Sequence, residues 1–394
     1  MNIILFDDQT RSTLLPLTYT RPIADIRIGI LKISEKWEKI CSAKCSFLTE
    51  MHLQDIFPLS LTDDNYFING SLLPSAELVS EIKSLNSGEA LVHEDLIIAI
   101  RAEKKENLKG ISDVNIEHSK TIQSEFDRLV FPWDIFSKNE NELKSDFELL
   151  TKGRKSQPIS NTNRVLKPEN IFLEPGAVVE CANLNASGGY IYVGKDSEIM
   201  EGAMIRGPFA IGEHSAVKMG AKIYGATTVG PHCKVAGEIS NSVIFGYSNK
   251  AHDGFLGNSV LGEWCNLGAD TNNSNLKNNY SKVKVWSYPE HDYINTGLQF
   301  CGLIMGDHSK CSINTMFNTG TVVGVSANIF GNGFPPKYVP SFSWGGSEGF
   351  ASYRLEDATE VASRVYERRH LEFGKKEKDL LKYLFDDTTK YRSW

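Results

Sequence analysis

The nine histidines are the side chains in this sequence most suited to acid–base or metal chemistry. His214 and His232 lie eighteen residues apart, which places both on one outer face of a coil that repeats every eighteen residues. A zinc site needs a third ligand close by, and no HxH or HxxxxH pair accompanies them, so we expect stacked, exposed rings. His252 stands apart, because it follows an interruption of that repeat. Its position alone leaves a catalytic and a structural role equally open.

The repeat that positions these histidines has a period of six. A branched aliphatic residue stands at every sixth position from Val193 to Val235, and glycine follows it at Gly194, Gly212 and Gly230. This is the hexapeptide signature of a parallel β-helix, in which three short strands form a coil and the aliphatic side chains stack inside. We therefore predict a left-handed parallel β-helix. The slip in period after Val235 predicts an ejected loop that carries His252, since loops on rigid scaffolds often carry function.

The rest of the chain divides around this repeat. Alternating strand and helix patterns over residues 1–152 predict an α/β domain, and the polar stretch 153–165 predicts a linker. The β-helix is expected over 166–346. A helical tail is expected over 347–394, with apolar residues that would cover the open end of the β-helix.

Composition excludes several classes of partner. A net charge of -7 and a pI near 5.8 argue against a nucleic-acid binder. The N-terminus becomes acidic at Asp7, and no run of eighteen apolar residues follows, so we expect neither a signal peptide nor a membrane span, and a cytoplasmic protein. Seven cysteines without paired zinc spacing are typical of reduced thiols.

The stretch around His252 resembles the acetyltransferase half of the bifunctional N-acetylglucosamine-1-phosphate uridylyltransferase/glucosamine-1-phosphate acetyltransferases. The resemblance lies in Lys250-Ala251-His252, Phe255-Leu256-Gly257, Asn266-Leu267-Gly268-Ala269 and Asn275. It implies an acetyl-CoA-dependent N-acetyltransferase acting on an amino-sugar phosphate, with glucosamine 1-phosphate as the leading acceptor. Hexapeptide acyltransferases are generally trimers, so the resemblance also implies a homotrimer.

The same resemblance implies roles for single side chains. His252 would be the general base that takes the acceptor amine's proton, a task suited to an imidazole with a pKa of about 6.5. Glu238 would orient His252 or the sugar. The implied substrate-binding residues are Asn266, Asn275, Lys222, Lys250 and Lys282, and the implied cofactor-binding residues are Gly268, Ala269, Gly320 and Thr321. For Lys222 and Lys282 a solvated surface charge is an equally good interpretation. Phe255 and Ser240 replace a tyrosine and a lysine of the family, so the acceptor's anionic group would be held differently.

The N-terminal segment 11–22 resembles the end of the sugar nucleotidyltransferase signature. Asp7-Asp8-Gln9 replace the glycines that let backbone N–H groups approach phosphates, and two carboxylates would repel those phosphates. Asn69 stands in place of the metal-binding aspartate, and an amide is a poorer Mg²⁺ ligand; Asp7, Asp8 or Asp25 are substitutes. The predicted nucleotidyl site comprises Asp7, Asp8, Arg11, Arg21 and Asn69, with UTP and Mg²⁺ as its expected ligands.

Domain order, a shortened transferase-like domain before a hexapeptide domain, resembles an alternative bacterial branch of the bifunctional family. Two other functions stay open. One is a sugar-1-phosphate nucleotidyltransferase that uses UTP or dTTP, and the other is a non-catalytic scaffold that binds sugar nucleotides. The set of His252, Asn266 and Asn275 counts against a scaffold for the C-terminal half, whereas the altered glycine loop favours one for the N-terminal half.

Overall fold

The computed structural model describes residues 1–105 and 107–394. These residues form two compact units. Unit 1 comprises Met1–Ile26, Leu31–Phe131 and Lys375–Leu380, and unit 2 comprises Arg27–Ile30, Pro132–Gly374 and Leu381–Trp394. The division at Phe131 precedes the expected linker. Residues of the expected linker, 153–165, instead join the first coil of the β-helix. There the Gln157 N–H donates to the Leu173 carbonyl at 2.9 Å.

Unit 1 is built on a six-stranded mixed sheet in the order β2-β1-β3-β6-β5-β7. Its strands are β1 (Asn2–Phe6), β2 (Cys45–Leu48), β3 (Asp64–Asn69), β4 (Leu72–Leu73), β5 (Glu89–His93), β6 (Leu96–Glu103), β7 (His118–Thr121) and β8 (Asp127–Arg128). Its helices are α1 (Thr10–Thr13), α2 (Ile33–Cys41) and α3 (Ala76–Lys83). The apolar run predicted as the first strand is β1, which pairs in parallel with both β2 and β3. The carboxyl ends of these three strands therefore meet at one edge of the sheet.

Unit 2 begins with two helices and continues as short strands. The helices are α4 (Pro132–Ser137) and α5 (Asn139–Thr151). The strands up to the slip in period are β9 (Arg164–Leu166), β10 (Ile171–Leu173), β11 (Val178–Val179), β12 (Asn183–Asn185), β13 (Ile191–Val193), β14 (Glu198–Ile199), β15 (Met204–Arg206), β16 (Phe209–Ile211), β17 (Ala216–Val217), β18 (Lys222–Tyr224), β19 (Thr227–Val229) and β20 (Lys234–Val235).

The later strands include one hairpin and end before the C-terminal helices. They are β21 (Glu238–Ser240), β22 (Val243–Ile244), β23 (Asn249–Lys250), β24 (Phe255–Gly257), β25 (Val260–Leu261), β26 (Asn266–Leu267), β27 (Asn272–Asn273), β28 (Lys284–Ser287), β29 (Asp292–Asn295), β30 (Leu303–Met305), β31 (Lys310–Cys311), β32 (Met316–Phe317), β33 (Thr321–Val323), β34 (Asn328–Ile329), β35 (Tyr338–Val339), β36 (Ser343–Gly346) and β37 (Gly349–Ser352). The helices α6 (Leu355–Glu367) and α7 (Lys375–Asp387) follow, which confirms a mainly helical tail.

The strands of unit 2 stack into a parallel β-helix with three sheets, as the period of six predicts. Sheet 1 runs from β10 to β35, sheet 2 from β11 to β36, and sheet 3 from β9 to β24, each with one strand per coil, and β37 pairs antiparallel with β36 at the end of sheet 2. Successive coils pair in register, so that Val193 lies above Ile211 and Ile199 above Val217. All eight aliphatic residues of the repeat point into the core, and none is more than 2% exposed.

The slip in period arises from shortened coils, which corrects the expectation of an ejected loop. On sheet 2, Ala216 pairs with Lys234 eighteen residues later, but Lys234 pairs with Asn249 after only fifteen. The next pair, Asn249 and Asn266, is separated by seventeen. Turns have therefore lost residues while the strands stayed in register. His252 lies in a regular corner between β23 and β24.

A true insertion does leave the β-helix, one turn later. It runs between β27 and β30 and contains the antiparallel hairpin of β28 and β29, whereas the sequence placed a polar insertion between Asp270 and Ser287. The Lys284 carbonyl of this hairpin accepts a hydrogen bond from Lys337 at 2.8 Å. The insertion is thus anchored on a late coil.

Glycine is required at the corners where one coil lies directly on the next. A Cβ built on Gly212 would stand 2.6 Å from the Pro231 nitrogen and 2.8 Å from the Gly230 carbonyl carbon, and both are backbone atoms that cannot move alone. We expect Gly212→Ala to lower the free energy of unfolding by about 1–3 kcal/mol through overpacking. Gly110→Ala is the control, since the nearest atom to its Cβ lies at 4.0 Å. Equal denaturation midpoints for the two variants would contradict this account.

One corner of the β-helix carries a ladder of rings. His214 and His232 stack at 5.0 Å, which confirms the predicted stacking, and Tyr247 and Trp264 continue the ladder at 4.7 Å and 4.1 Å. All four residues have left-handed backbone conformations. Among residues 1–105 and 107–394, no group of three histidine, cysteine or acidic residues is arranged to hold a metal ion.

The described helices include none with both the length and the apolar character needed to cross a bilayer.

Candidate functional sites

His252 stands at an exposed corner beside a pocket of about 620 Å³. The neighbouring corners supply the rest of the lining, which includes Met219, Ala269 and Asp270. Within residues 1–105 and 107–394, the imidazole makes no hydrogen bond and no ion pair. A free imidazole facing an open pocket is available to accept a proton from a bound molecule.

Lys250, predicted to bind substrate, lies inside the β-helix. It is 1% exposed and occupies the inward position that Val235 fills in the coil before. Its ammonium donates to the carbonyl oxygens of His252 at 2.7 Å and Asp253 at 3.1 Å. Burial lowers its pKa to about 8. Enclosed in this way, the ammonium does not reach a ligand in the pocket, so its contacts do not support the predicted role.

Glu238 and Lys222 lie side by side on the outer face of sheet 3. The Glu238 carboxylate accepts a hydrogen bond from the Tyr224 hydroxyl, and this bond raises the pKa of Tyr224 to about 12. In the described part of the chain Glu238 has no hydrogen bond to His252. Glu238 and Lys222 both line a groove of about 940 Å³ along this face. The placement of Glu238 therefore suits contact with a ligand better than orientation of the His252 imidazole.

The predicted asparagines occupy two different faces. Asn266 is exposed on the outer face of sheet 2, in register with Asn249 and Lys310. Asn275 lies at the far end of β24, where its amide donates to the Asn258 side chain at 2.9 Å. Lys282 is exposed and lines a small pocket that also contains Asn258.

The four residues predicted to bind cofactor divide into two pairs. Gly268 and Ala269 form the corner after β26, and Ala269 lines the His252 pocket. Gly320 packs against the backbone of Lys284, and Thr321 is fully buried with its hydroxyl donating to the Asn318 carbonyl. The first pair therefore adjoins His252, whereas the contacts of Gly320 and Thr321 do not support a cofactor site.

Unit 1 gathers most of the predicted nucleotidyl residues at the carboxyl edge of β1 and β3. The Asp7 carboxylate accepts hydrogen bonds from the Ile23 N–H at 2.8 Å, from Arg11 at 3.0 Å and from Thr49. Burial raises the pKa of this carboxyl, although the Arg11 guanidinium opposes the shift. Arg11 also donates to the carbonyls of Thr18 and Arg21. This pair therefore holds the loop that follows β1.

Asp8 is the carboxylate of this edge that remains partly accessible, with 19% of its side chain exposed. It accepts the Thr10 N–H at 2.9 Å and the Asn69 amide at 2.8 Å, and Arg128 lies 3.8 Å away. Arg128 was missed in the sequence, where nothing distinguishes it from other surface arginines. A carboxylate thus occupies the start of α1, where a nucleotide phosphate would need backbone N–H groups.

These residues do not fit a Mg²⁺ site. Asp7 is committed to three donors, and Asp25, the other substitute, pairs with Lys32 at 2.9 Å and with Arg21 at 3.6 Å. The Asn69 amide oxygen accepts both the N–H and the hydroxyl of Ser71. Mg²⁺ prefers several carboxylate or phosphate oxygens around one point. Among Asp7, Asp8 and Asp25, Asp8 has the most exposed side chain, at 19%.

Comparison with known proteins finds similarity to a sugar nucleotidyl transferase family and to two bifunctional proteins. Residues 3–155 match the family model described as sugar nucleotidyl transferase. A protein of Sulfurisphaera tokodaii named bifunctional sugar-1-phosphate nucleotidylyltransferase/acetyltransferase is 32% identical over 93 residues, which are 24% of this chain and 23% of that protein. The bifunctional protein GlmU of Methanocaldococcus jannaschii is 32% identical over 87 residues, 22% of this chain and 21% of that protein. The chain thus aligns with less than a quarter of the length of these curated relatives.

Proposed function

We propose that unit 2 is an acetyl-CoA-dependent N-acetyltransferase that acts on an amino-sugar phosphate, with glucosamine 1-phosphate as the favoured acceptor. The observation that carries the proposal is the free, exposed imidazole of His252 beside its pocket. The Sulfurisphaera tokodaii relative, whose name includes an acetyltransferase, supports the proposal, as does the β-helix itself.

The residues present fit an acyl-CoA. Met200 and Met219 give the His252 pocket apolar walls, and Lys218 adds a cation suited to phosphates. When bound, acetyl-CoA supplies the activated acetyl group as a thioester. His252 accepts the proton that the acceptor nitrogen loses as it forms its new bond to the acetyl carbon, and can return that proton to the departing sulfur. The Glu238 carboxylate and Lys222 provide charges of both signs for a polar acceptor in the groove along sheet 3.

A homotrimer would bring the separated residues together. Within one chain, His252 lines one pocket and Lys222 lines the groove along sheet 3, and neither of these is lined by Asn266 or Asn275. Sheet 3 also exposes large apolar side chains, with Leu166 57% and Met204 55% exposed, as a subunit contact would require. We expect light scattering to give three times the chain mass of 43.9 kDa. A monomer at micromolar concentration would rule this arrangement out.

The test of the proposed function is product analysis of the full chain given acetyl-CoA and glucosamine 1-phosphate. We expect free thiol and N-acetylglucosamine 1-phosphate in equal amounts. Glucose 1-phosphate, which lacks the amine, is the matched control and should release no thiol above background. Absence of acetylated product with the amino sugar would contradict the proposal.

Sugar-1-phosphate nucleotidyl transfer by unit 1 is the second candidate function, favoured by the match of residues 3–155. Its measurement is pyrophosphate release from UTP, or from dTTP, with a sugar 1-phosphate and Mg²⁺. Release that depends on the sugar would establish this activity. If calorimetry shows that a sugar nucleotide binds but no pyrophosphate is released, the result would instead support the non-catalytic scaffold.

A further inference from the structure

We propose that Lys250 is a positioning residue for His252: its ammonium, enclosed in the β-helix, holds the two peptide carbonyls that set the direction of the imidazole. The consequence for catalysis rests on the proposed acetyl transfer, whereas the structural part does not.

The inward column of sheet 2 shows how unusual this lysine is. The column consists of Val179, Ile199, Val217, Val235, Lys250, Leu267, Cys311, Ile329 and Gly345, one residue for each coil. Every other member of this column is uncharged, so Lys250 is the one charged residue among the described members of the column. An aliphatic side chain would fill this place without the cost of taking a charge out of water.

The hydrogen bonds explain what the ammonium does there. The His252 carbonyl accepts from Lys250 at 2.7 Å, and within the described residues it has no other donor. The Asp253 carbonyl accepts from Lys250 and also from the Asp270 N–H at 3.0 Å. The lysine is therefore the one donor that the described residues supply to the carbonyl of the proposed base.

The charge of Lys250 is maintained by its surroundings. Burial lowers its pKa to about 8, while Asp253, Asp270 and Cys311, the titratable groups that face it, act in the opposite direction. It is therefore largely an ammonium at pH 7, when its hydrogen bonds to carbonyls are strongest. Because the folded-state pKa lies below the usual 10.5, burial destabilises the fold at neutral pH, and this cost falls as pH rises from about 8 to 10.5.

The test compares Lys250→Met and Lys250→Leu with the full wild-type chain. Both side chains suit an aliphatic column, so we expect denaturation midpoints at pH 7 no lower than that of the wild type. The wild-type midpoint should approach those of the variants between pH 8 and 10.5. We expect kcat for acetyl transfer to fall about 100-fold, the usual scale for a misplaced catalytic group, with KM changed less than about threefold. Lys234→Met, at an exposed position one coil earlier, should match the wild type.

A second readout does not depend on activity. Hydrogen–deuterium exchange of the peptide covering 249–257 should be faster in both Lys250 variants, whereas Lys234→Met should leave it unchanged. Unchanged exchange, or a kcat within twofold of wild type, would overturn the positioning role. If the Lys250 variants have lower denaturation midpoints and lose activity in proportion to the unfolded fraction, Lys250 is a packing residue. This result would also overturn the positioning role. If the wild type transfers no acetyl group but exchange still rises, the proposed function fails and the structural role of Lys250 stands.

Discussion

Replacing His252 with alanine is expected to lower kcat for acetyl transfer to glucosamine 1-phosphate by a factor of about 10²–10⁴, the range typical of a lost general base. The imidazole is exposed and makes no hydrogen bond within the described residues, so its removal should not disturb the fold. KM should change little, because the base acts on the proton lost in the transition state. Steady-state kinetics with the free thiol as readout measure both constants.

The matched control is His214→Asn, at a different corner of the same β-helix. His214 has a positive φ of 55°, a conformation that asparagine tolerates better than alanine does. Its side chain is 44% exposed and stacks on His232, away from the pocket beside His252. We expect wild-type kinetics from this variant. Full acetyl transfer by His252→Ala would mean that the acceptor amine is deprotonated by another group.

Asn139→Ala is expected to lower the free energy of unfolding by about 2–4 kcal/mol, because buried partners lose their hydrogen bonds. Asn139 begins α5 and is fully buried. Its amide oxygen accepts the Gly29 N–H at 2.8 Å, and its amide nitrogen donates to the Ala226 carbonyl at 2.9 Å and to the Thr228 hydroxyl at 3.1 Å. One side chain thus connects α5, a coil of the β-helix and the segment Arg27–Ile30.

Chemical denaturation of the full chain measures this effect, and Asn141→Ala is the control. Asn141 is the same residue type on the same helix but is exposed, so we expect a change within about 0.5 kcal/mol. Asn139→Asp should also be destabilised, since a carboxylate cannot donate to Ala226. A loss no larger than that of Asn141→Ala would show that water replaces the missing partner.

The architecture of unit 2 was predictable because its core is one-dimensional. Every sixth side chain from Val193 to Val235 must point inward, and the structure places all of them there. The same rule, restarted at Ile244, gives Lys250 and Leu256 as inward residues, so the burial of Lys250 was within reach of the sequence. The resemblance to a family motif instead led to the prediction that Lys250 binds substrate, which requires an accessible side chain.

Whether the slip in period adds or removes residues was harder to predict from the sequence. A phase change of a repeat is equally consistent with an added loop and with lost residues, and only the pairing of Lys234 with Asn249 decides between them. In unit 1, the resemblance grouped Asp7, Asp8, Arg11 and Asn69 into one site, and these residues lie at one sheet edge because β1 and β3 are parallel. The sequence could not show that Asp7 also binds Thr49 and the Ile23 N–H, since these partners lie 42 and 16 residues further along the chain.

The two units share the chain in an interleaved way, with Arg27–Ile30 belonging to unit 2 and Lys375–Leu380 to unit 1. A cut after Phe131 would therefore take from unit 2 the segment Arg27–Ile30 that Asn139 binds, and from unit 1 the first half of α7. Gene fragments are for this reason poor tools for dividing the two proposed activities between halves of the protein. Point substitutions in the intact polypeptide, one unit at a time, keep each unit complete while its chemistry is removed.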